Sequence, residues 1–124
     1  MHILVIDDDK DIRDMLDMVL AVEGYEVATA SDGVAGLDRL RVGARPSLIL
    51  LDMMMPRLDG EGFLRAMRSN PNTADIPVVI LTGHPTARKK AVELGAAGCL
   101  VKPVELLDLL SAIHRAESDP NPRP

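Results

Sequence analysis

The stretch ILVIDDDKDIRDMLDMVLAVEGYEVATA, residues 3–30, decides the fold. It opens with a continuous apolar run, Ile3 to Ile6, and breaks into the acids Asp7, Asp8 and Asp9. The hydrophobic period then changes: Ile12, Met15, Leu16, Val19 and Leu20 recur at helical spacing until Gly24, a natural C-terminal cap. A second strand-like run, Glu26 to Ala30, follows directly. An unbroken apolar strand is one buried on both faces, and strand–helix–strand in so short a span is a parallel crossover unit.

Outward from this unit the alternation repeats. Leu48–Leu51, Val78–Leu81 and Gly98–Val101 read as further strands. Val34, Leu37 and Leu40 mark a second helix ending near Gly43. A third runs from about Gly60 to Ser69 with Phe63, Leu64 and Met67 facing inward. Ala87, Ala91 and Leu94 mark a fourth, closed by Gly95, and Leu106, Leu107, Leu110 and Ile113 mark a fifth. Five strand–helix repeats predict an open α/β sheet with helices on both faces. The body is expected to span residues 1–117. Residues 118–124, SDPNPRP, have no apolar anchor and read as a flexible Pro-rich tail or the start of a linker.

Composition narrows the function. The 124 residues suit one core, and 47% hydrophobic against 27% charged is the balance of a soluble globular chain. Tyr25 and Phe63 are the only aromatics, so Leu, Val, Ile, Ala and Met must fill the core. With 14 basic and 19 acidic side chains the net charge is −5, and there is no basic run, which argues against direct nucleic-acid binding. A lone Cys99 cannot form an internal disulfide and fits a reducing cytoplasm. No apolar run approaches the ~20 residues that span a bilayer, and the N-terminus is too short for a signal peptide. The expectation is a cytoplasmic protein without a membrane partner.

Open α/β sheets bind ligands beyond the C-terminal ends of their strands. Here the first strand ends in Asp7-Asp8, the third in Asp52, the fourth in Thr82 and the fifth in Lys102-Pro103. Asp7, Asp8 and Asp52 carry −3 and Lys102 returns +1, leaving −2. A hard divalent cation with oxygen preference would balance that charge, and Mg²⁺ suits a site of few carboxylates, waters and phosphate oxygens. A carboxylate oxygen could then attack a phosphoryl group, with Lys102 and Thr82 stabilising its oxygens.

The runs ILVIDDD, LILLDMMMPRLDG, VVILTGH and GCLVKP, in this order on alternating strands, resemble the receiver domain of two-component response regulators. The resemblance covers about Ile3 to Arg115. It implies a flavodoxin-like (βα)5 doubly wound fold, with five parallel strands in the order 2-1-3-4-5. It implies that Asp52 is the phosphoacceptor, that Asp7 and Asp8 hold Mg²⁺ with Asp8 the more direct ligand, and that the Met54 carbonyl joins them. Thr82 matches the switch hydroxyl and Lys102 the phosphate-contacting lysine, with a cis Lys102-Pro103 bond. The implied partners are a histidine kinase or phosphotransfer protein upstream and a protein target or output domain downstream. The signal would be read through the fourth helix, fifth strand and fifth helix, by partner binding or homodimerisation. The module would not be an enzyme beyond catalysing its own phosphotransfer and dephosphorylation. Two positions depart from the family: Cys99 stands where Tyr or Phe is common, and Val104 where Phe is frequent.

Other readings are available for single residues. Asp9 reads as a helix N-cap. Asp7, Asp9 and Asp11 mimic a calcium loop, but Ile12 and Met18 stand where it needs Gly and Glu. Met53, Met54 and Met55 read as packing and loop residues rather than thioether ligands. His84 reads as an exposed loop histidine and Cys99 as a small strand hydrophobe. Two alternative functions stand beside the receiver. One is a haloacid-dehalogenase-type phosphatase with Asp7 as nucleophile, for which Asp11 occupies the place of the expected Thr or Val. The other is a receiver fold used only as a docking platform.

Overall fold

The computed structural model describes residues 2–55 and 57–118. The strands are β1 (His2–Ile6), β2 (Glu26–Ala30), β3 (Leu48–Asp52), β4 (Val78–Thr82) and β5 (Gly98–Val101). The helices alternate with them: α1 (Lys10–Val22), α2 (Gly33–Val42), α3 (Gly60–Arg68), α4 (Ala87–Glu93) and α5 (Leu106–Ser118). All neighbouring strands are parallel, in the order β2-β1-β3-β4-β5. The expected fold and strand order are therefore the ones observed. Helix α5 takes in Ser118, the first residue of the expected tail, and the rest of that tail lies outside the described residues.

Side chains alternate across a strand, so each apolar run feeds two cores. Ile3, Val5, Leu48, Leu50, Val79 and Leu81 point to one face, where Leu16 and Leu20 of α1 meet Leu109, Ala112, Ile113 and Ala116 of α5. Leu4, Ile6, Ile49, Leu51, Val78 and Ile80 point to the other, against Phe63, Leu64 and Met67 of α3 and Ala91 of α4. Helix α1 begins at Asp9, whose side chain accepts the Asp11 and Ile12 amides, and ends before Gly24 at φ +94°.

Helix α5 corrects the sequence reading. Leu106 and Leu107, two of the four residues that mark this helix in the sequence, are exposed, Leu107 by 77%. The face on the sheet is Leu109, Ala112, Ile113 and Ala116, and Leu110 is half-buried. In the run LLDLL leucines occupy two helical phases, and the phase carrying the small alanines lets the helix sit close to the strands. Two smaller departures concern Met15 and Val34, both exposed at 38% on the flanks of their helices.

Candidate functional site

Four chain segments deliver polar groups to one edge of the sheet. Asp7 directly follows β1, and its amide donates to the Ala30 carbonyl at 3.1 Å, which continues the ladder to β2. Asp52 ends β3 and Thr82 ends β4. Lys102 directly follows β5, its amide donating to the Thr82 carbonyl at 2.7 Å, and the Lys102-Pro103 peptide bond is cis. Because β1 and β3 are neighbours in the sheet, Asp7, Asp8 and Asp52 converge. One carboxylate oxygen from each lies within 4.8 Å of the others.

The three acids are not equivalent. Asp7 is fully buried, and both of its oxygens are engaged: Oδ1 accepts the Asp9 amide at 2.9 Å and Oδ2 the Lys102 ammonium at 2.8 Å. Arg13 donates to the Asp7 carbonyl at 2.8 Å. Asp52 is buried beside it, with Oδ1 accepting the Met54 amide at 3.2 Å and lying 3.5 Å from the Lys102 ammonium. Asp8 is exposed at the mouth. Lysine 102 thus sits nearer to Asp7 than to Asp52, where phosphate-contacting chemistry alone would have put it.

Electrostatics follows from this packing. Burial, then the charge on Asp7, push the Asp52 carboxyl up from 3.8 to about 6, against the pull of Lys102 and the Met54 amide. Burial draws Lys102 down, but its hydrogen bond to Asp7 and the charge of Asp52 outweigh it and hold the ammonium above its usual pKa. A cluster of carboxylates under mutual repulsion, with one oxygen donor set open to solvent at Asp8, fits a hard cation such as Mg²⁺.

Thr82 is buried, and its hydroxyl accepts the His84 amide at 3.1 Å, so the turn after β4 is tied to the end of that strand. His84 is exposed, Met55 buried, Met53 half-buried and Met54 exposed, as loop and packing residues would be. Cys99 is half-buried on β5, its carbonyl accepting Arg88 at 3.2 Å. Burial pushes its thiol pKa up, although Arg88 pulls it down.

Sequence reasoning missed one pair at the rim. Asp32 caps α2 through the Ala35 amide at 2.8 Å, and its second oxygen takes Arg57 Nε at 2.6 Å. The guanidinium and the Ala35 amide hold the Asp32 carboxyl below the usual carboxylate range. No local signal reports a partner 25 residues away.

Comparison with known proteins agrees with this geometry. The sequence profile of the response regulator receiver domain matches residues 3–114. The chain is 38% identical over 115 residues to the DNA-binding dual master transcriptional regulator RpaA of Synechocystis, covering 91% of this chain and 47% of that protein. It is 41% identical over 116 residues to response regulator MprA of Mycobacterium avium, covering 92% and 50% respectively. The chain thus spans about half the length of these curated relatives. Among solved structures it is similar to chemotaxis protein CheY4 of Vibrio cholerae, with a TM-score of 0.84 and 34% identity over 92% of this chain and 96% of that one. A response regulator receiver domain protein from Clostridium thermocellum gives 0.85 and 36%, covering 94% of each. By strand order, by the acids and lysine gathered at one sheet edge, and by sequence, the chain belongs to the response regulator receiver domain family.

Proposed function

We propose that the protein is a phosphoacceptor signalling module in which Asp52 accepts a phosphoryl group from a histidine kinase or phosphotransfer protein. One observation carries this reading. Three carboxylates lie within 4.8 Å of one another, with the Lys102 ammonium 2.8 Å from Asp7 and 3.5 Å from Asp52. Nothing in a bland soluble fold requires so many like charges at one edge.

An Asp52 oxygen attacks phosphorus in line, forming the P–O bond of an acyl phosphate as the P–N bond to the donor imidazole breaks and the imidazole leaves. Lys102 faces the incoming negative charge, and the Thr82 hydroxyl is the donor for a phosphoryl oxygen. Asp7, Asp8, Asp52 and the Met54 carbonyl would hold Mg²⁺, with Asp8 the more direct ligand of the acidic pair. The bound cation would neutralise charge between carboxylates and phosphoryl oxygens. Water attack on the acyl phosphate returns the free carboxylate and phosphate. The chain therefore catalyses its own modification and reversal, and turns over no separate substrate. The phosphorylated state is read through α4, β5 and α5 by a protein target, an output domain or a second copy. RpaA is named as a DNA-binding transcriptional regulator, which supports an output domain of that kind as one reader of the signal. A cytoplasmic setting is supported by the lone cysteine, and no described helix is long and apolar enough to cross a membrane.

The phosphatase reading is disfavoured because Asp7, its nucleophile, is fully buried with both oxygens engaged. Mass spectrometry after incubation with acetyl phosphate and Mg²⁺ tests the assignment. Wild type should gain one phosphoryl group on Asp52, and Asp52→Asn or a chelator should abolish it. Label on Asp7, or equal labelling with and without chelator, would overturn the reading.

A further inference from the structure

Met53 and Met54 on one side, and Arg57 to Asp59 on the other, lead from β3 to α3 and carry the Met54 carbonyl, which must be held in place to face a cation. The base of this loop is closed by the Gly60 amide donating to the Met53 carbonyl at 3.2 Å and by the Met54 amide on Asp52 at 3.2 Å. Its far side rests on the start of α2. A Cβ on Gly33 would stand 2.5 Å from the Leu58 carbonyl oxygen, so the two backbones meet without room for a side chain. Beside this contact Arg57 Nε donates to Asp32 at 2.6 Å.

Two features set this pair apart from an ordinary surface ion pair, whose ends are both mobile. The Asp32 side chain is only 8% exposed and commits both oxygens, one to the Ala35 amide and one to Arg57. Arg57 has φ +67°, and among the described residues it is the one non-glycine in the left-handed region. Glycine would take that conformation freely, whereas arginine is strained there. A strained arginine held on a buried carboxylate is a side chain with a task.

We propose that Arg57 is a positioning residue, whose clamp on Asp32 fixes the β3–α3 loop so that the Met54 carbonyl faces the metal. The proposal rests on the phosphoacceptor reading above. Arg57 touches neither metal nor phosphoryl group and acts through the loop backbone.

The test uses two variants of the full chain. Asp32→Asn keeps the α2 cap, since Asn and Asp cap about equally, but turns an amide donor toward Arg57. Arg57→Gly removes the clamp, and the strain that glycine relieves at this left-handed position offsets part of what the lost ion pair costs. Calorimetric titration with MgCl₂ should show about tenfold weaker binding in both, the usual cost of losing a group that orients a metal ligand. Hydrogen exchange without metal supplies a second readout: the Met54 and Gly60 amides should exchange faster, with β3 and α2 amides unchanged. A merely structural pair would shift melting temperature and leave both readouts alone. Unchanged Mg²⁺ affinity and loop exchange in Arg57→Gly, with wild type binding normally, overturns the proposal by itself. Wild type that binds no Mg²⁺ overturns the phosphoacceptor reading, and the proposal with it.

Discussion

Replacing Asp52 should make the metal-free protein more stable, because the native site holds its carboxylate in an environment that resists its charge. Its carboxyl stands at about 6 against an ordinary 3.8, raised by burial and by Asp7. A folded-state pKa above the unfolded one means that the folded protein binds the extra proton more tightly. The associated stability is fully present below 3.8 and has been lost once the pH exceeds about 6. Roughly two pKa units correspond to at most about 3 kcal/mol. Solvent at the mouth, where Asp8 is exposed, screens the repulsion and reduces this to about 1–2 kcal/mol. Asp52→Asn keeps an oxygen for the Met54 amide and carries no charge. In EDTA at pH 7.5 it should exceed wild type by that amount, or about 4–8 °C in melting temperature for a domain of this size. At pH 5 the difference should shrink as wild-type Asp52 protonates. Adding Mg²⁺ at pH 7.5 should stabilise wild type and leave the variant nearly unmoved. Urea denaturation followed by far-UV circular dichroism measures all three, since the chain has no Trp. A variant no more stable than wild type at pH 7.5 in EDTA, or a gain equal at both pH values, would refute the account of repelling carboxylates.

Lys102→Met should cost about 3 kcal/mol in metal-free buffer, because Asp7 is left buried without its counter-ion. Adding Asp7→Asn should recover most of the loss, and additive losses in that cycle would contradict the pairing. Leu109→Ala should cost about 2–5 kcal/mol, while Leu107→Ser should stay within about 0.5 kcal/mol. The reverse order in chemical denaturation would restore the helix phase read from sequence. Cys99→Tyr should cost less than about 1 kcal/mol, below the usual cost of overpacking, because Cys99 lines a groove of about 510 Å³ with Arg88, Val104 and Arg115. A loss of about 2 kcal/mol or more, the range expected in a closed core, would show that the groove cannot take a ring.

The order of elements, the strand limits to within a residue, and the identities of Asp7, Asp8, Asp52, Thr82 and Lys102 were legible in the chain itself. The reason is locality: a doubly buried strand must be a continuous apolar run, and a group placed just after such a run lies at the sheet edge. Asp9 as a cap and Gly24 as a stop are likewise decided within one helical turn. The unequal environments of the three acids needed the assembled sheet. The packing that buries Asp7 and gives both its oxygens partners, while leaving Asp8 in water, comes from segments far apart in the chain. For the same reason Lys102 turns first toward Asp7, 95 residues away. The phase of α5 was ambiguous in a leucine run and was decided by which face could approach the strands with alanines. The Arg57–Asp32 clamp has no local signature, because it exists only where the β3–α3 loop and the start of α2 come together. Local periodicity determined which residues form the edge of the sheet, and only long-range packing decided how their charges are shared.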